Sequence, residues 1–199
     1  MNHHDKQNSI LRFWFGEDTL HPLENAKMWF KKDPALDEAI RNNFGAMLDE
    51  AGSGAFDDWS RTYRGALALV ILCDQFPRNI FRGEDQAFAY DQRALRASQI
   101  AVDHGFDKEL NCVERCFLYL PFEHAENIDV QSRSVELFSS LLEEAQGDEL
   151  AFINEAIRFA KRHHEIIQKF GRFPHRNEML GRESTREEKQ FLKQPGSYF

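Results

Sequence analysis

The sequence predicts an all-α chain built as an array of antiparallel helix pairs, about seven to eight helices in all. Three observations carry that expectation. Apolar residues recur with a 3.6-residue period in segment after segment. Proline, glycine and capping residues punctuate the chain at helix-length intervals. No segment alternates with a period of two, and β-branched residues are few, so nothing reads as a strand.

The polar residues 1–9 form an expected N-terminal tail, with no apolar stretch of the kind a signal peptide carries. A single helical domain is expected over 10–193, and a C-terminal tail over 194–199. Ile10 to Phe15 is short and aromatic and reads as a first helix. Asp33 followed by Pro34 reads as an N-cap and first helical residue. The apolar face Leu36, Ile40, Phe44, Met47, Leu48 and Ala51 then runs to the stop Gly52-Ser53-Gly54. A second helix carries Tyr63 and Leu67 and is apolar all round from Ala66 to Cys73, which marks it as the most buried. It is expected to stop before Pro77.

A helix from near Asp85 ends at Gly105, and another from near Asp107 halts at Pro121. A fifth bears Val130, Val135, Phe138 and Leu141. A sixth bears Leu150, Ile153, Ile157, Ala160, Ile167 and Phe170, with Gly171 as its C′ residue. Ser184 and Glu187 read as a capping box opening a short last helix with Phe191 and Leu192.

Aromatic residues make up 13 % of the chain, with 18 Phe, which argues for an aromatic core and against disorder. The net charge of −8 disfavours nucleic acid and anionic membrane as partners, although residues 158–193 carry ten Lys/Arg against five acids. No apolar run is long enough to span a membrane. Cys73, Cys112 and Cys116 are too few for a disulfide framework and read as buried thiols in a cytoplasmic protein.

Three helix exits share a pattern: Asp74-Gln75-Phe76-Pro77-Arg78-Asn79, Leu120-Pro121-Phe122-Glu123-His124, and Arg172-Phe173-Pro174-His175-Arg176-Asn177. If the helix pairs are in register, these exits lie at one end of the bundle. They would then present Asp74, Gln75, Arg78, Asn79, Glu126, Arg172, His175, Arg176 and Asn177 as ligand-binding groups, with Glu123 and His124 as the groups that move a proton. Guanidinium forks suit a carboxylate or phosphate, and polar groups converging within an aromatic wall are what a small-ligand pocket requires. The competing reading is that these charges pair with one another and lock the helix ends. Of the neighbours His163 and His164, the periodicity of Ile157, Ala160 and Ile167 places His164 nearer the apolar face and makes it the site candidate.

No zinc-protease or di-iron helix motif is present, and Glu123-His124-x-Glu126 alone is weak, so no metal is expected. No glycine-rich phosphate loop and no nucleophile-elbow motif occurs, and no cofactor is expected.

The string from Leu67 to Asn79, then Tyr119 to Glu126, then Phe170 to Asn177 with Leu180 to Thr185 resembles the bacterial domain-of-unknown-function family numbered 924. The resemblance runs from about Ile10 to Leu192. It implies a fold similar to the tetratricopeptide-repeat superhelix, right-handed, and no established activity. Ala125 and Asn127 depart from the family's pattern, which more often has Ser and Asp there. Two functions follow as expectations. The first is a pocket for a small anionic or carboxylate-bearing molecule, with or without catalysis. The second is a repeat scaffold holding a peptide or protein partner, its polar motifs structural. Neither reading fixes an oligomeric state.

Overall fold

The computed structural model describes residues 2–17, 23–29 and 31–197. Among them every regular element is helical. The α-helices are α1 (His3–Phe15), α2 (Ala26–Trp29), α3 (Pro34–Gly52), α4 (Tyr63–Val70), α5 (Phe76–Ile80), α6 (Asp91–Asp103), α7 (Cys112–Glu123), α8 (Ile128–Ser140), α9 (Glu149–Phe170) and α10 (Arg186–Phe191). Short 3₁₀ turns join several of them. Of the expected C-terminal tail, residues 198 and 199 lie outside the described residues.

Side-chain caps set most helix starts. Asp33 accepts the backbone N–H groups of Ala35 and Leu36, as its sequence position before Pro34 implies. Asn111 and Glu114 close a reciprocal capping box on α7, and Asn127 caps α8. Asn2 caps α1, which begins at His3, so residues expected as a polar tail are its first turns. The capping box of α10 is Thr185 with Glu188, one residue beyond the expected Ser184 and Glu187. Ser184 instead accepts a hydrogen bond from Asn177. Gly105 and Gly171 take the left-handed conformation that ends α6 and α9.

Two expected proline stops are absent. α4 runs through one π turn, Ile71–Gln75, directly into α5, and Pro77 lies inside the continuous helix. The π turn links the Phe76 N–H to the Ile71 carbonyl, five residues back, so the ladder absorbs a residue where proline cannot donate. α7 continues past Pro121 to Glu123, closed by the His124 N–H on the Leu120 carbonyl at 2.9 Å. Only the third proline, Pro174, follows a completed helix.

α4 is buried from Gly65 to Val70, as its all-round apolar sequence predicts. A Cβ on Gly65 would run into the Trp59 carbonyl oxygen, so this close approach requires glycine. The main core gathers Trp14, Trp29, Phe44, Phe76, Phe117 and Phe138. Its rings meet edge to face, Trp14 at 5.7 Å from both Phe76 and Phe117, and Trp29 at 4.7 Å from Phe117. Such pairs add about 0.5–1.5 kcal/mol each beyond burial. A smaller cluster, Ile166, Ile167, Phe173 and Phe191, fastens the C-terminal segment onto α9.

α7 packs on α8, and α8 on α9. The short connections between them make consecutive members antiparallel, so α7 and α9 run in the same direction. Stacked helix pairs of this kind are the unit of a tetratricopeptide-like array. No helix among the described residues is long and apolar enough to cross a membrane.

Candidate functional site

The C-terminal half of α7 and the stretch of α9 from Phe152 to His163 meet the π turn, α5 and the 3₁₀ turn Pro174–Arg176 around one cavity of about 690 Å³. Its polar end is lined by Gln75, Arg78, Asn79, Glu123, His124, His163, His175 and Arg176. The three sequence exits therefore do converge, although two of their prolines lie within helices.

Asp74 lies behind this surface, fully buried. Its Oδ1 accepts from His124 Nδ1 at 2.7 Å, and its Oδ2 from the Gln75 amide at 2.6 Å. Arg78 lies 3.3 Å from the same carboxylate and forks onto Asp91 at 2.9 and 3.2 Å. Among the described residues, the carboxylate that Arg176 reaches is the shared Asp91, at 3.4 Å. Both faces of its guanidinium are covered, by Phe88 at 4.6 Å and Phe173 at 4.5 Å. Its Nε is buried and has no hydrogen-bond partner among the described residues.

The electrostatics separate two carboxyls. Burial opposes ionisation of Asp74, but Arg78 and then His124 outweigh it and hold the carboxyl well below the usual range. The ionised carboxylate can only accept, so His124 Nδ1 carries the hydrogen. Burial and then Arg78 lower the His124 pKa despite Asp74, which leaves the imidazole neutral with Nε2 unprotonated. Burial, and next the Asp74 charge, push Glu123 up to about 8, so it is a neutral acid at pH 7. Burial takes His163 down to about 3. Its Nδ1 donates to the Phe159 carbonyl at 2.9 Å, with a Glu123 carboxyl oxygen 3.2 Å from the same nitrogen. Burial and Arg176 lower His175 to about 3. Burial and Arg78 lower Arg176 to about 10, still a cation.

Neighbouring carboxyls whose surroundings drive their pKa values apart mark the donor and the acceptor of a proton. Here His124, held by Asp74, is able to accept a proton at Nε2, and the protonated Glu123 is able to donate one. Cys116 also lines the cavity, but burial raises its thiol pKa well above the ordinary value, which makes it a poor nucleophile. No group of three or more His, Cys, Asp or Glu that could hold a metal ion occurs among the described residues.

Five sequence candidates lie outside the cavity lining: Asp74, behind it, and His164, Glu126, Arg172 and Asn177. His164 does not face the cavity; its Nε2 is 3.3 Å from Ser132 Oγ on α8. The cavity takes His163 instead, because α9 carries a second stripe, Phe152, Ala156, Phe159 and His163, beside the core-facing one. That 4-3-4 spacing is visible in the sequence once two stripes are allowed on one helix.

Glu126, Arg172 and Asn177 form a separate polar clasp. Glu126 accepts from the Phe173 N–H at 2.7 Å and from both terminal nitrogens of Arg182 at 2.6 and 2.9 Å. Arg172 forks onto Glu188 at 2.7 and 2.9 Å. Asn177 bridges Ser184, Glu188 and Arg182. Asp91, which sequence reasoning missed, carries no motif signal and comes from the start of α6; Arg182 stands in the Leu180 to Thr185 motif but is not among the expected site residues.

The family model described as a bacterial protein of unknown function, the domain-of-unknown-function family 924, matches residues 10–196. A solved structure, that of the protein of unknown function ATU0120 from Agrobacterium tumefaciens, is similar over 96 % of this chain and 99 % of that one. The identity is 34 % and the TM-score 0.83. No curated protein matches the chain.

Proposed function

The chain belongs to this bacterial family of unknown function, and within it we propose that the cavity binds a small anionic molecule. The observation that carries the reading is Arg176: a guanidinium only 6 % exposed, facing a cavity, sharing its one carboxylate with Arg78 and leaving Nε unpaired. A buried donor without an acceptor costs about 1–3 kcal/mol, more when charged. A ligand carboxylate or phosphate on the part of the guanidinium that faces the cavity supplies the cation with a partner of its own. His124 and Glu123 stand beside the bound molecule as proton acceptor and donor.

The test is a thermal-shift screen of wild type and Arg176→Leu against small carboxylates and phosphates. A ligand at 100 times its Kd adds about 2.7 kcal/mol to stability. A shift confined to wild type supports the pocket. No shift with any anion, together with a variant that melts far lower, overturns it in favour of a structural role for Arg176.

A further inference from the structure

The cavity has a second half. Below the polar end, α7 lines it with Cys116, Phe117 and Leu120, and α9 with Phe152, Ala156 and Phe159, with the exposed charges of Glu155 and Lys31 beside them. These are the residues one to three turns before Glu123, His124 and His163 on the same two faces. α7 and α9 run in the same direction, so on both walls the buried polar groups follow the apolar ones, while the exposed Glu155 of α9 is hydrogen-bonded to Arg158. From Phe152 to Phe159 the apolar wall extends for about 10 Å at 1.5 Å per residue. The cations at the polar end are nearly matched: Arg78 has Asp74 and Asp91, and Arg82 forks onto Asp37. Asp91 is shared, so among these three arginines Arg176 is the least matched, which suits one negative charge rather than two.

Resting on the anion-pocket reading, we propose that the ligand is an amphiphilic monocarboxylate, its head on Arg176 and its apolar tail along the α7–α9 wall. The polarity boundary fixes the orientation. A tail turned toward the polar end would set apolar chain against the buried polar groups there, and a head at the other end would meet the exposed, hydrated Lys31 in place of the buried Arg176.

The experiment is isothermal titration of the full chain with the straight-chain series acetate, butanoate, hexanoate, octanoate and dodecanoate, with inorganic phosphate and 1-octanol alongside. Affinity is expected to rise about fourfold per added methylene and to level off once the tail outruns the wall. Ala156→Phe, which fills the wall, should weaken octanoate at least tenfold and leave acetate unchanged. Arg176→Leu should remove the preference for octanoate over 1-octanol. A series that binds with no dependence on chain length overturns the amphiphile and leaves the anion pocket standing. A chain-length dependence that survives unchanged in Arg176→Leu overturns it as well, as unspecific apolar adsorption. No binding by any anion overturns both readings.

Discussion

The polar end of the cavity and the clasp at the C-terminal segment draw on the same residue types, and even on the same stretch of chain, yet they end in opposite states. In the clasp, Arg172 and Arg182 each fork onto a carboxylate, and those carboxylates also accept backbone N–H groups. In the cavity, Arg78 holds Asp74 and shares Asp91 with Arg176, Glu123 is neutral, and three imidazoles are uncharged at pH 7. Charges that find each other fasten a fold. Charges kept short of partners beside an open volume are available to a ligand. Within Arg172-Phe173-Pro174-His175-Arg176-Asn177, the first and last residues go to the clasp and His175 and Arg176 go to the cavity.

The largest effect that could break this comparison is expected in the clasp. Glu188→Ala strands Arg172 and Asn177 and removes the α10 capping box. Tm should fall by several degrees, since the α10 cap and the hydrogen bonds to Arg172 and Asn177 are lost together. Ligand binding by the folded variant should be unchanged; a Tm within error of wild type would show that the clasp does not fasten the fold. The Arg172 hydrogen bond, working against burial, lowers the Glu188 carboxyl from 4.5 to about 2. Its stabilising contribution is therefore complete above pH 4.5 and is lost as pH falls through about 2. Acid titration of Glu188→Gln by circular dichroism should show a shallower loss of stability across that window.

Glu123 should behave with the opposite sign. Its folded pKa of about 8 lies above the ordinary 4.5, so between those values the native state holds a proton that the unfolded chain has released. Stability then falls as pH rises through that window. Glu123→Gln removes the fall, and its Tm relative to wild type should climb by about 5 °C between pH 5 and pH 8. A constant difference across that range would mean that Glu123 is ionised in the fold.

The smallest thermal effect is expected for Arg176→Leu. Arg78 keeps its fork on Asp91, so no carboxylate is stranded, and an underpaired buried cation is exchanged for apolar volume. Tm should stay within about 3 °C of wild type while anion binding disappears. A large drop would assign Arg176 to the same fastening class as Arg172.

Much of this was legible in the sequence because it depends on neighbours in the chain. The 3.6-residue period, the Asp33-Pro34 start, the Gly105 and Gly171 ends and the all-round burial of α4 each need only a few consecutive residues. The three polar motifs were legible as chemistry for the same reason. Tertiary packing decided the rest. The π turn lets the helix run through Pro77, which propensity alone forbids. The choice of His163 over His164 depends on which of two stripes of α9 faces α7. Above all, an arginine becomes a clasp or a binding site according to whether a carboxylate from another helix reaches it. Glu126, Asp91 and Glu188 come from separate helix ends, and pairing at a few ångströms across such separations is set by the fold, not by sequence spacing.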